Sequence, residues 1–307
     1  MQSHVNVRIG WGCLLLVGGL LFCGCATTSR LAKPLGDYSA ATTDANTMIG
    51  ATLVSVGTLD QKVQSTPWFI ESNNLTELRE SAFSPFLRPD DLLQRELAAQ
   101  ALCTYAAKLK ELAGINGSDA INKSANSAGA AINSIVTNIN QLGTGSANAI
   151  PTGVVSGLAS LAGNLVNIYA AAERDKALRQ VLEENNQIIS NICNLLADEL
   201  DPANAGFIYK HVEHDYRLLE ENADKRFKQA TANEKPAVVT EYLDNLRKKN
   251  YTLALMRNLA VLYRQIAETH SAILAQSQGG QKPDTALARL SDDLALARFY
   301  SSQISTK

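Results

Sequence analysis

Apolar positions recur at intervals of three and four along most of the chain beyond residue 38, the spacing that lines one face of an α-helix. Met48, Ile49, Leu53, Val56, Leu59 and Val63 predict a helix from about Tyr38 to Gln64, ended by Thr66 and Pro67. Leu92, Leu93, Leu97, Leu102, Tyr105, Leu109 and Leu112 predict another. Pro89, Asp90 and Asp91 open it with the fixed φ and negative charge that a first turn favours, and Gly114 stops it. Ser118 caps a helix to about Leu142, and Gly143, Gly145 and Pro151 mark a turn. Thr152 then opens what reads as one helix to about Leu200, roughly 70 Å long at 1.5 Å per residue, until Asp201, Pro202 and Gly206 break it.

The second half is patterned in the same way. A charged helix is predicted from about Phe207 to Ala230, and Asn233 caps the next, with Pro236 in its first turn. A heptad seam runs through Val239, Tyr242, Leu246, Lys249, Leu253, Met256, Ala260, Tyr263, Ala267, His270 and Leu274. A second seam, Leu255, Leu259, Leu262, Ile266 and Ile273, lies beside it, so the helix has the wide apolar face of a bundle member. After Gly279, Gly280 and Pro283, a final amphipathic helix spans Asp284 to about Ser305 through Leu287, Leu290, Leu294 and Tyr300. The stretch from Trp68 to Pro89 is the least regular. It predicts one short helix from Leu75 to Phe83 behind an Asn74 cap, with Trp68, Phe69, Phe83 and Phe86 plugging a bundle end. The fold expected over residues 38–307 is therefore a single all-α domain, an elongated antiparallel helical bundle with long coiled-coil-like helices.

The first residues are of another kind. Arg8 precedes an apolar run, Ile9 to Cys25, whose core of about 14 residues is shorter than the roughly 20 that cross a bilayer. This is the layout of a secretory signal. It resembles the signal of bacterial lipoproteins, which ends in Leu-x-(Gly/Ala)-Cys; Gly24 and Cys25 match the last two positions, while Phe22 stands where that class prefers Leu. The resemblance implies a signal peptide over 1–24, lipidation of Cys25, and a lipidated N-terminus and tether over 25–37. It also implies a membrane partner through the lipid and an address in the bacterial cell envelope, at the outer membrane because Ala26 rather than Asp follows the cysteine.

Composition narrows the partners. The 307 residues carry a formal net charge of -2 with 46% hydrophobic and 6% aromatic residues. Near-neutrality argues against nucleic acid, whose phosphates need a concentrated positive field. Of five cysteines, Cys103 and Cys193 remain beyond the signal and Cys25; an oxidising envelope permits a bridge between them, and burial as two small apolar side chains is the other outcome.

Between Ser124 and Ala172 there is no charged residue and no histidine. Two helices meeting along small residues, with Asn126, Asn133, Asn138 and Asn140 facing water, would account for this. So would membrane contact by the hairpin 124–172, a layout that resembles helical pore-forming toxins, or self-association through Gly153 and Gly157 in G-x-x-x-G spacing. Leu158 and Leu161 would carry the membrane contact. His211, Glu213, His214 and Asp215 form H-V-E-H-D, which lacks the H-E-x-x-H spacing of zincins and reads as a polar surface. His270, on the apolar seam, reads as a core histidine. No P-loop, nucleophile elbow, catalytic constellation or cofactor motif is spelled in the chain. The expected role is structural or interactive, with an envelope protein or a second copy as partner; the alternative is a membrane-active bundle.

Overall fold

The computed structural model describes residues 30–73, 86–115, 118–143, 148–167 and 174–305, without the side chains of Trp68, Ser72, Ser118 and Ser305. The signal, Cys25, Gly145 and the expected Leu75–Phe83 helix with its Asn74 cap lie outside the described residues. The chain is all-α: α1 (Ala32–Gln64), α2 (Pro67–Ser72), α3 (Pro89–Gly114), α4 (Ser118–Gln141) and α5 (Thr152–Val166) form the first half. α6 (Arg174–Leu200), a 3-10 turn (Pro202–Asn204), α7 (Phe207–Gln229), α8 (Lys235–Ser277) and α9 (Asp284–Ser305) form the second.

Local chemistry sets several of these boundaries. At the start of α3 the Arg88 backbone N–H donates to Asp91 Oδ2 at 3.0 Å, closing a capping box ahead of Pro89. Between α6 and α7, Asp201 accepts from the Ala203 N–H at 2.9 Å and Ala205 adopts a left-handed φ of 57°. A Cβ on Gly206 would sit 2.7 Å from the carbonyl oxygens of Asp198 and Glu199, so the chain can turn there only with glycine. Before α8, Glu234 accepts from the backbone N–H and hydroxyl of Thr231 at 2.9 and 2.8 Å, and this contact, not Asn233, shapes the entry.

The 43-residue α8 is the axis of the fold. α6 and α7 lie along it one after the other, α9 runs antiparallel to it, and α1 packs on α8, α9 and α3. The α4–α5 hairpin covers α3 and α6. Buried apolar residues from Leu31 to Ala297 make one continuous core. Tyr38 of α1 lies beside His270 near the C-terminal end of α8, whereas Lys62 donates to Asn245 at 2.8 Å near its N-terminal end, so α1 and α8 are antiparallel over most of their length.

Three expectations change. The run from Thr152 to Leu200 is not one helix: α5 ends at Val166, and α6, which begins at Arg174, packs back against it, with Asn164 Nδ2 donating to Asn185 Oδ1 at 3.0 Å. The first helix starts earlier than the expected Tyr38. α1 already begins at Ala32 with Pro34 in its first turn, and Leu31 and Leu35 are buried. The heptad seam of α8 is not buried throughout, because Val239 and Tyr242 are 41% and 37% exposed where α7 is the helix beside them.

Candidate functional site

Leu158 and Leu161 are both fully buried, facing the interior between α4, α5 and α6. Gly153 and Gly157 lie on the α5–α6 contact, where an added Cβ would meet Leu195 and Ile192 at 2.8 Å. Asn126, Asn133, Asn138 and Asn140 of α4 are exposed. The charge-free hairpin thus turns most of its large apolar residues inward, Val166 excepted, and small or amide side chains outward, and no described helix is long and apolar enough to cross a membrane. Cys103 and Cys193 are free thiols, not a bridge. The Cys103 sulfur donates to the Thr42 carbonyl at 3.3 Å, and burial pushes the Cys193 thiol up to about 12, where it is inert.

His270 is fully buried, and both its ring nitrogens are used. Nε2 is 2.8 Å from the Tyr105 hydroxyl and Nδ1 is 3.0 Å from Asn186 Oδ1. An amide oxygen can only accept, so Nδ1 carries the proton and Nε2 accepts from tyrosine. Burial pushes the imidazole down to about 3, so it is neutral across the physiological range.

A second buried node is the pair Arg95 and Glu199, on α3 and α6. The guanidinium donates through Nε to Glu199 Oε2 at 2.9 Å and through Nη2 to Oε1 at 2.6 Å. Its Nη1 donates to the carbonyls of Asp91 and Asn148 at 2.8 and 3.0 Å. Burial pushes the Glu199 carboxyl up, and Arg95 beside it pulls it back down. Gln94 holds the α4–α5 connection, donating to the Gly143 carbonyl at 2.9 Å and accepting from the Ile150 N–H at 3.0 Å.

The third node differs from both. His211 and Asp215, one turn apart on α7, face Asp60 near the end of α1. His211 Nε2 is 3.1 Å from Asp215 Oδ2 and 3.6 Å from Asp60 Oδ1, with side-chain exposures of 14% for His211, 2% for Asp215 and 8% for Asp60. Asp60 Oδ2 accepts from the Phe86 N–H at 2.9 Å and from the Gln64 amide at 3.1 Å, which leaves Oδ1 turned toward the imidazole. The Phe86 ring stacks on His211 with centroids 3.5 Å apart and planes 8° from parallel. Yet His211 Nε2 and Asp215 Oδ2 are buried without a hydrogen-bond partner: close as they are, they do not align. Burial opposes charge on His211, but the carboxylates of Asp215 and Asp60 outweigh it and hold the imidazole above its ordinary value. Burial likewise raises the Asp215 carboxyl, against the pull of His211.

The H-V-E-H-D stretch is therefore not a uniform polar surface. His214 stays outside the cluster, with Nδ1 2.8 Å from Arg217 Nη2, while His211 and Asp215 turn inward to meet a carboxylate that the sequence reading did not single out. One signal was available: Asp60 follows Leu53 and Val56 and precedes Val63 at helical spacing, which places a carboxylate on a buried seam.

The far end of the α7–α8 pair carries a groove of about 510 Å³ lined by Glu220, Glu221, Asp224, Phe227, Val238 and Tyr242 among others. Phe227 in the groove is 38% exposed, and Leu243, next to Tyr242 on α8, is 56% exposed. Comparison with known proteins finds no matching family model, no matching curated protein and no matching solved structure.

Proposed function

We propose that the chain is a lipid-anchored protein of the bacterial envelope that works as an interaction module, holding a helical bundle at a membrane and offering its far end to a protein partner. The observation that carries this reading is the polarity of the fold relative to Cys25. Only six peptide units separate Cys25 from Leu31, the first buried residue among those described, a reach of about 20 Å at full extension. Leu31 lies at the end of the bundle where Arg179 of α6 donates to the Ser277 carbonyl of α8 at 2.7 Å and where Arg30 and Gln278 line one groove. The exposed apolar residues Phe227, Val239, Tyr242 and Leu243 lie at the opposite end of α8, about 55 Å away at 1.5 Å per residue.

Such a patch is what a docking partner covers: aromatic and aliphatic side chains in a groove with a charged rim. The rim carboxylates Glu220, Glu221 and Asp224 are paired with Lys249, Arg217 and Lys228, so charges of both signs surround the apolar centre and favour a partner that brings an apolar anchor with a mixed polar rim.

Two measurements on intact cells test the reading. Wild-type protein should incorporate labelled palmitate and sediment with membranes, and Cys25→Ser should do neither; an unlabelled, freely soluble wild type overturns the anchor. A photo-cross-linking residue placed at Leu243 should give discrete adducts of higher mass, and one at Asn133 should not. Absence of adducts at Leu243, or the same adducts from both positions, overturns the module.

A further inference from the structure

We propose that Asp60, His211 and Asp215 form a binding site for one divalent transition-metal ion of the zinc class. The three ligand atoms lie within 4.8 Å of one another. A tetrahedral ion with metal–ligand bonds of about 2.0–2.2 Å needs its ligand atoms about 3.3–3.6 Å apart. The two separations measured from His211 Nε2, 3.1 and 3.6 Å, fall around that range with no rearrangement of the backbone.

The independent observation is the pair of orphaned atoms. Buried polar atoms in native proteins have partners, and those that lack one mark a bound water, an ion or a functional role. Asp215 Oδ2 has no hydrogen-bond partner although its side chain is 2% exposed, and His211 Nε2 beside it has none either. The 3.1 Å contact between them is an ion pair that leaves both atoms without an aligned hydrogen bond. An ion between them satisfies both lone pairs at once.

The surroundings are those of a held ligand set. His211 and Asp215 are four residues apart and share one face of α7. Asp60 is oriented by the Phe86 N–H and the Gln64 amide, and the Phe86 ring fixes the plane of the imidazole. Partners of this kind set ligand direction in metal sites and matter to affinity. The donor set selects the metal class. One imidazole and two carboxylates suit zinc and its first-row neighbours, whereas calcium takes six to eight oxygens and magnesium retains most of its water. Three protein ligands leave a further coordination position for water. The bound ion would tie the end of α1 to the start of α7.

The test uses the full chain, untagged, purified in detergent and stripped with EDTA. Calorimetric titration with zinc chloride should give one ion per chain, and cobalt(II) should give the visible absorption of a tetrahedral site. His211→Gln and Asp215→Asn should each weaken binding at least 100-fold, while His214→Gln keeps the wild-type affinity and stoichiometry. Far-ultraviolet circular dichroism establishes whether each variant is folded; should His211→Gln or Asp215→Asn fail to fold, the wild-type titration and a zinc-dependent rise in Tm decide alone. No stoichiometric binding by the wild type, or binding that survives both ligand variants, overturns the site and leaves His211 as a cation between two carboxylates. Lipidation and partner docking are read separately, so failure here leaves the proposed function standing.

Discussion

Two halves share α8 as their axis, one built on α6 and the other on α7, and the polar nodes at their centres differ. On the α6 side, His270 has both ring nitrogens hydrogen-bonded, and the buried guanidinium of Arg95 is matched by Glu199 and two carbonyls. On the α7 side, His211 Nε2 and Asp215 Oδ2 are buried 3.1 Å apart without an aligned hydrogen bond, and the apolar seam of α8 emerges into solvent at Val239 and Tyr242. Orphaned buried oxygens occur on both sides, Gln265 Oε1 and Gln276 Oε1 among them, but of the two histidine nodes only that of His270 has its ring nitrogens hydrogen-bonded. A matched node holds helices together and needs nothing more. An unmatched node or an uncovered seam points to something added from outside.

The contrast breaks most sharply at Arg95. Replacing it by leucine keeps the apolar bulk but strands the Glu199 carboxylate, 9% exposed, in the core. Removing one member of such a pair costs about 3–5 kcal/mol, because the remaining charge keeps its desolvation penalty and loses its compensation. Urea unfolding of Arg95→Leu should show a loss of this size. A loss below about 1 kcal/mol would mean that the pair is solvated, and the claim of a matched interior on the α6 side would fall.

His270 gives the next largest effect, and it depends on pH. Its folded value of about 3 lies below the ordinary 6.5, so between these limits the unfolded chain binds a proton that the folded chain refuses. Stability therefore falls as pH drops below about 6.5, by about 1.4 kcal/mol per pH unit, and this contribution levels off near pH 3. In His270→Gln the slope should shrink by that amount, whatever the change in stability at neutral pH. An unchanged acid limb would show that water or a second partner reaches the ring, and the contrast with His211 would weaken.

Helix ends were legible where local chemistry decides them. Pro89 with two aspartates opens α3, Gly114 closes it, and Pro202 with Gly206 separates α6 from α7. The division of α5 from α6 was not legible, because Ile168 to Glu173 contains neither Gly nor Pro and three consecutive alanines favour helix. What sets those two helices against each other is the packing of Gly153 and Gly157 on Leu195 and Ile192, a tertiary fact that periodicity within one run cannot express. The α8 seam failed differently: spacing tells which face would be buried, but not where the neighbouring helices stop. Half of the His211 site was visible as an i, i+4 pair. Its third member comes from α1, and the clue was a rule of position: Asp60, Arg95, Asp215 and His270 all stand where an apolar residue would continue the seam.

The smallest effect on stability is expected at the uncovered end, and it sharpens the comparison from the other direction. Leu243 is 56% exposed, so Leu243→Ser removes little buried area and should lower the unfolding free energy by no more than about 0.5 kcal/mol. The same change should lower cross-linking to a partner severalfold from a probe at Tyr242, because an apolar anchor contributes through desolvation once it is covered. A loss above about 1 kcal/mol would mean that Leu243 is already covered in the purified protein. With no other chain present, the cover would be a second copy, and sedimentation would then show a dimer that the serine variant dissociates. The far end of α8 would in that case be an interface between copies, and the halves would differ in which chain completes them.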